Sequence, residues 1–495
     1  MGNKFLEDNF APVSREHTLT ELEVTGSIPE YLDGRYLRNG PNPLSEVDPA
    51  TYHWFMGDGM VHGVRLRGGK AEWYRNRWVR SPDISAALGE PTRKRTRHAG
   101  IESLGANTNV ISHAGKTIAL IEGGIANYEL TDELDTVGPC DFDGTLPGGY
   151  TAHPKRDPRT GELHAVSYFF GRGNRVQYSV IGVDGRAKRT VDIEVTGSPM
   201  MHDFSLTEKY VVFYDLPVTF DADQSFPVAM PSLLRTPAKL VLSAVIGNVR
   251  VPDPITAMLG KSMKSNAKMP YHWDTKYPAR VGVMPRDGGA ADVRWFDVGP
   301  CYVFHPLNAY DCDTNNTNNS KSGGGNSVVL DVIRHPKMFA TDFTGPNEGG
   351  PSLDRWTVDL ELGKVREERL DDQCQEFPRV DERLVGRRHR YGYTTTIGAG
   401  VSLTGTLLKH DLDKGNSTSR SFGAGKQPGE FVFVPSHAGA AEDEGVLMGY
   451  VYDPAVQRSD LTLLDAGTLE TVGAIHLPDR VPNGFHGNWA PAGSQ

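Results

Sequence analysis

The chain has 495 residues, 38% hydrophobic and 23% charged, with 55 Gly, 33 Pro and a net charge of −10. That acidic balance argues against a nucleic-acid partner, because phosphate neutralisation needs a basic surface. Residues 1–9 lack the apolar centre of a signal peptide, and no run of 18 apolar residues reads as a membrane span, so a cytoplasmic location is expected.

Frequent Gly and Pro favour short strands joined by tight turns. In chain order, candidate strands at 64–66 and 71–73 flank Gly68-Gly69. Those at 176–183 and 190–195 flank Asp184-Gly185. The pair 356–360 and 365–370 flanks Gly363, and 461–464 with 472–475 flanks Ala466-Gly467. Strand, turn and strand again predict an all-β protein. No fixed-period repeat chooses among sandwich, barrel and propeller. No Pro/Ser-rich linker divides the chain, so residues 1–495 read as one domain.

Two segments break the pattern. Residues 225–269 carry six Lys/Arg against one acid, Asp253, among clustered apolar residues. Pro237 is placed to start a helix over 238–247. The segment fits a membrane surface, giving peripheral association, and equally a helix covering one end of the fold. Residues 314–326 are rich in Asn, Ser and Gly and read as a mobile surface loop. The four cysteines, Cys140, Cys301, Cys312 and Cys374, form no Cys-x-x-Cys pair, which argues against a structural zinc site. Cys301 and Cys312 are close enough in sequence to be bridged, but free thiols are the preferred reading without an export signal.

Among 16 histidines, four have distinctive surroundings: Thr151-Ala152-His153-Pro154, Met201-His202-Asp203-Phe204, Phe304-His305-Pro306-Leu307 and Phe485-His486-Gly487-Asn488. No His-x-x-x-His pair links them, which excludes zincin-type chemistry. In this order they resemble the four iron-ligand motifs of the carotenoid cleavage oxygenase family. Tyr36-Leu37-Arg38-Asn39-Gly40-Pro41-Asn42-Pro43 and Phe55-Met56-Gly57-Asp58-Gly59 are similar to two further family motifs, and the resemblance spans about residues 20–490. His62 lies close to a family motif but not at a ligand position.

The resemblance implies a seven-bladed β-propeller with a dome of loops and short helices over the iron site, and 225–269 as part of that dome. It implies iron(II) on His153, His202, His305 and His486, outer glutamates Glu122, Glu376 and Glu430, and Thr108 as a steric element beside the metal. Four neutral imidazoles leave the full 2+ charge on iron and suit O2 binding. Phe55, Leu88, Ile121 and Phe304 are the expected substrate-lining residues. Some bacterial relatives hold a phenol with a lysine just before the first outer glutamate and a tyrosine about twenty residues before the threonine. Ile121 and, by simple counting, Leu88 occupy those places here, so an apolar substrate is expected. The implied activity is O2-dependent cleavage of a carotenoid or apocarotenoid double bond to two carbonyl products. Cleavage of a stilbenoid or phenylpropenoid alkene is the alternative. An O2-independent ester-cleaving isomerase and a non-catalytic carotenoid binder are further rivals. No flavin, haem or nicotinamide is signalled, since no Gly-x-Gly-x-x-Gly opens a helix after a strand.

Overall fold

The computed structural model describes residues 2–93, 96, 100–102, 105–221, 269–312, 326–343, 348–398 and 403–493. Its strands fall into seven antiparallel sheets, the blades of a propeller, and one extra two-stranded ribbon. The first blade holds Gly34–Pro41, Gly59–Arg67 and Lys70–Trp78, with His17–Leu19 at its outer edge. Five four-stranded blades follow, starting at Asn109–His113, Lys155–Arg156, Ser205–Leu206, Tyr302–Cys312 and Gln375–Arg379. The last blade opens with Gln427–Pro428 and Val432–Pro435 and continues through Gly445–Asp453, Arg458–Asp465 and Thr471–His476.

The ring is closed from both ends of the chain. Glu23–Gly26 pairs with Thr471–His476 as the outer strand of the last blade. Gly487–Pro491 pairs with Gly34–Pro41 as the inner strand of the first. Backbone hydrogen bonds thus join chain ends more than 400 residues apart and complete the first and last blades of the ring.

Position within a blade follows from side-chain pattern. Strands near the axis are covered on both faces, so Gly34–Pro41 and the first eight residues of Tyr302–Cys312 are buried throughout. An outer strand such as Lys364–Asp371, rich in Lys, Arg and Glu, is largely exposed. Apolar clusters sit between neighbouring blades: Tyr36, Val64 and Tyr74 pack on Val446, Leu461 and Ile475, and Leu37 and Val61 on Val110, Ala119 and Tyr128. The predicted hairpins are present, with Gly68, Gly69, Gly185 and Gly363 all at positive φ in their turns.

Over one face lie the ribbon Val218–Phe220 with Tyr271–Trp273, the 3-10 turn Trp54–Met56 and adjoining loops. The α-helix Pro82–Ala87 starts with Pro82 and is capped by Ser81, whose hydroxyl accepts from Ile84 N at 3.3 Å. All four cysteines are free thiols. The predicted helix at 238–247 and all of the 225–269 patch except Met269 lie outside the described residues, as does the predicted loop at 314–326 except Asn326. Among the described residues, no helix is long and apolar enough to cross a membrane.

Candidate metal centre

Each blade brings its axial strand to one point. Thr108 immediately precedes Asn109–His113, His153 precedes Lys155–Arg156, and His202 precedes Ser205–Leu206. His305 lies in Tyr302–Cys312 and Glu376 in Gln375–Arg379. Glu430 sits between Gln427–Pro428 and Val432–Pro435, and His486 immediately precedes Gly487–Pro491. Glu122 comes from the turn after Lys116–Leu120, one strand out from the axis. Seven positions spread over almost 380 residues of sequence therefore meet because a propeller points the same end of every inner strand at its axis.

His153, His202, His305 and His486 are all buried, and a potential ligand atom from each lies within 4.8 Å of the others. In five of the six ring pairs, all but His202–His486, the centroids are 4.4 Å (His153–His202) to 5.2 Å (His153–His305) apart. Three of the rings are oriented from behind. His202 Nδ1 meets Glu122 Oε1 at 2.8 Å, His305 Nδ1 meets Glu376 Oε2 at 2.7 Å, and His486 Nδ1 meets Glu430 Oε1 at 2.9 Å. Each Nδ1–H donates to its carboxylate, which turns a bare Nε2 lone pair inward. Nε2 of His202 and His305 lie 3.2 Å apart, and the buried Nε2 of His153 has no hydrogen-bond partner. Converging lone pairs in a dry space repel unless a cation sits among them, so this donor set fits a divalent metal.

The electrostatics agree. Burial drives His153 well below the ordinary histidine range, reinforced by His202, His486 and His305. Burial also lowers His305, against the pull of Glu376. At His202 burial opposes protonation, but the charge and hydrogen bond of Glu122 outweigh it and the net shift is upward. A metal reverses that balance, since imidazole ligates in its neutral form. Burial would raise Glu376, yet His305 and His335 hold it below the usual carboxylate range. Arg379 and His486 do the same for buried Glu430.

The three glutamates differ in how fully they are used. Glu376 accepts from His305 and Phe377 N on Oε2 and from His335 Nε2 on Oε1, each at 2.7 Å. Glu430 accepts from His486 on Oε1 and from Gly487 N on Oε2 at 2.8 Å. Glu122 takes both of its bonds, from His202 and from the Tyr168 hydroxyl at 2.8 Å, on Oε1, and its buried Oε2 has no partner. Thr108 lines the site, but its hydroxyl donates to Asn107 Oδ1 at 2.9 Å, so it is not a free ligand.

In front of the histidines, on the dome side, lies a cavity of about 1020 Å³, its opening to solvent included. Phe55, Ile121 and Phe304 line it. Leu88 does not. It caps the end of Pro82–Ala87 at 36% exposure, away from the cavity, which corrects the prediction made by counting back from Thr108. Counting assumed one continuous wall, whereas this stretch is held on the outside of the fold by Arg80, bonded to both Glu16 and Glu90. His62 is also outside the centre, with Nδ1 3.0 Å from the Tyr74 hydroxyl.

Several lining residues were not foreseen: Trp54, Ile125, Tyr168, Tyr271, His335, Phe377 and Phe485. Phe377 and Phe485 adjoin site residues in sequence, a signal that was readable. Phe377 adopts φ 55°, a strained conformation for a non-glycine residue and a frequent companion of functional sites. Tyr168 and His335 carry no local signal. His335 reaches Glu376 because Ser327–His335 pairs with Tyr302–Cys312 in a register that puts it opposite Tyr302.

A seven-bladed propeller with a buried four-histidine centre beneath an apolar cavity defines a metal-dependent propeller class. The sequence profile of the retinal pigment epithelial membrane protein family matches residues 10–491, and the chain belongs to this family, that of the carotenoid cleavage oxygenases. It is 60% identical over 497 residues to a carotenoid cleavage oxygenase of Mycobacterium tuberculosis, covering 99% of this chain and 98% of that relative. It is 30% identical over 534 residues to a carotenoid 9,10(9',10')-cleavage dioxygenase 1 of Arabidopsis thaliana, covering 97% and 89%. Among solved structures, a lignostilbene dioxygenase of Pseudomonas brassicacearum superposes with a TM-score of 0.80 at 26% identity, covering 99% and 98%. Cobalt-substituted apocarotenoid oxygenase of Synechocystis superposes with a TM-score of 0.77 at 26% identity, covering 97% of each chain.

Proposed function

We propose that the protein is an iron(II) dioxygenase that cleaves a carbon–carbon double bond of a carotenoid or apocarotenoid, with O2 as co-substrate and two carbonyl compounds as products. The observation that carries this reading is the apolar cavity opening directly onto His202, His305 and His486, the three glutamate-oriented rings of the four-histidine cluster. His153, His202, His305 and His486 would hold the iron, with Glu122, Glu376 and Glu430 fixing three of the rings. Bound iron(II) supplies the activation of O2 that alkene cleavage requires.

The chain's own residues do the rest. Phe55, Ile121, Ile125, Phe304 and Phe485 offer an aromatic and aliphatic wall that favours hydrocarbon by about 0.8 kcal/mol per buried methylene. The same wall excludes bulk water from the reacting bond. Thr108 presents its methyl as a steric stop, its hydroxyl being engaged by Asn107. Peripheral membrane association through 225–269 would deliver an insoluble polyene to the cavity.

A phenolic stilbene is the second reading, favoured by the likeness to a lignostilbene dioxygenase and by two tyrosine hydroxyls at the cavity wall. The Tyr168 hydroxyl is already committed, donating to Glu122 Oε1 at 2.8 Å, and the Tyr271 ring stands against Tyr168 with centroids 6.0 Å apart. Ile121 adjoins Glu122 with no polar group to offer. A phenol left unpaired there costs roughly 1–3 kcal/mol, which favours the carotenoid. The test is anaerobic loading with iron(II), then 18O2, with a carotenoid, apocarotenoid and stilbene panel read by mass spectrometry. Labelled aldehydes from a polyene are expected. A higher kcat/KM for a 4-hydroxystilbene than for every polyene would overturn the substrate class.

A further inference from the structure

The four histidines are reached from two sides, and the two sides differ in chemistry. The dome-side cavity is lined by the 3-10 turn residue Trp54 and by residues that flank the site positions, among them Phe304, Phe377 and Phe485. A second cavity of about 760 Å³, opening included, lies on the other side along the propeller axis. Its wall is formed by residues that follow the site positions on the inner strands: Asn109 and Ile111 after Thr108, Lys155 after His153, Leu206 after His202, Arg379 after Glu376 and Asn488 after His486. His305 and His486 border both spaces, so the metal centre is the partition between them.

The axial wall is polar and charged in graded fashion. Glu382 stands at its rim with its side chain 54% exposed, and Asp203 lies deep, 3% exposed. Between them every cation has a carboxylate. Lys155 Nζ is 2.8 Å from Asp203 Oδ2, and Arg379 is 3.0 Å from Glu382 and donates to Asn488 Oδ1 at 2.9 Å. Asn488 in turn donates to Asn109 Oδ1 at 2.9 Å. Pairing removes any net positive barrier, and the amide and carboxylate oxygens can replace a cation's water shell. Asp203 Oδ2 stands 3.7 Å from Nδ1 of His153, the one histidine of the four without a glutamate.

We infer that this axial channel is the route by which a hydrated divalent metal ion enters and leaves the four-histidine centre, separate from the apolar cavity that admits the alkene. The inference rests on the reading of the four histidines as metal ligands. The reason for separate routes is solvation. Stripping a dication of water among aromatic side chains carries a large desolvation penalty, whereas a polyene gains nothing in a charged channel. With two routes, metal can exchange while the cavity is filled.

The test follows metal movement and not turnover. Chelator-stripped full-length protein is mixed anaerobically with cobalt(II), whose visible absorption reports histidine coordination, and later challenged with a water-soluble chelator. Ile111→Trp, which narrows the axial channel, should slow uptake and release together by about tenfold or more while leaving the amount bound at equilibrium unchanged. KM for an apolar alkene in the iron-loaded enzyme should also be unchanged. Saturating the cavity with an uncleaved polyene under anaerobic conditions should leave both rates within about twofold. Glu382→Lys, at the exposed rim, tests the route without disturbing packing. It should slow uptake at low salt, and the effect should fade at about 0.5 M salt as the charges are screened. Uptake untouched by Ile111→Trp and Glu382→Lys but blocked by the polyene would overturn the inference and place metal entry on the dome side. Wild-type protein that binds no cobalt at equilibrium would instead overturn the four-histidine reading on which it stands.

Discussion

Replacing each outer glutamate by glutamine should weaken metal binding by three different amounts, ordered by how each carboxylate is used. An amide keeps one acceptor and turns the other oxygen into a donor. At Glu122 the acceptor can take the Oε1 place, which receives both His202 and Tyr168, and the NH2 falls where no partner stands. Only charge assistance is lost, about 1 kcal/mol or roughly fivefold in affinity. At Glu376 the acceptor can still serve His305 and Phe377 N, but the NH2 then faces His335 Nε2, which must change tautomer. A loss of about 2 kcal/mol, roughly thirtyfold, is expected. At Glu430 no orientation works, because His486 Nδ1–H and Gly487 N–H donate to different oxygens and one of them must meet an NH2. A buried unpaired donor brings the cost to about 2–3 kcal/mol, up to roughly 150-fold. Chelator competition with cobalt(II) or iron(II) at fixed pH measures all three. Equal losses, or a Glu122→Gln variant weaker than Glu430→Gln, would refute the reasoning.

Three further outcomes are expected. His305→Ala should abolish both metal retention and alkene cleavage, and a fully active variant would remove this residue from the centre. Burial lowers His53 to about 3, and burial with Arg286 lowers His164 to about 4, so the folded protein keeps both neutral where the unfolded chain, near 6.5, takes up protons. Stability should therefore fall as the pH drops below about 6.5, by on the order of 3–4 kcal/mol between pH 7 and pH 5 for the pair. Urea midpoints at the two pH values check this, and a flat profile contradicts it. Ile121→Lys, which restores a polar group beside Glu122, should shift the kcat/KM ratio toward 4-hydroxystilbenes by roughly tenfold, given a charged hydrogen bond of about 1.5 kcal/mol. An unchanged ratio would mean that the wall at Ile121 does not select substrate.

Much of the centre was legible in sequence because its chemistry is concentrated in short motifs. The four histidines and three glutamates each sit beside distinctive neighbours, at or next to the ends of strands, and strand ends are where a propeller exposes side chains to its axis. All-β character was equally legible, since Gly turns such as Gly68-Gly69 and the exposed outer strands write period and punctuation into the chain. Leu88 shows where that reading fails. Its place was taken from spacing, and spacing says nothing about a helix such as Pro82–Ala87 carrying a residue off to the surface.

The sequence by itself determined the candidate histidines and glutamates, through motifs that resemble a known family, together with the order of those motifs and the apolar residue next to Glu122, because these are local properties of a few consecutive residues. Only the tertiary structure decided that His335 backs Glu376, that Tyr168 backs Glu122 while leaving Oε2 bare, and that the histidines divide an apolar cavity from a polar axial channel. Each of these depends on strand register and on seven blades converging, which brings together side chains dozens to hundreds of residues apart with no periodicity to announce them.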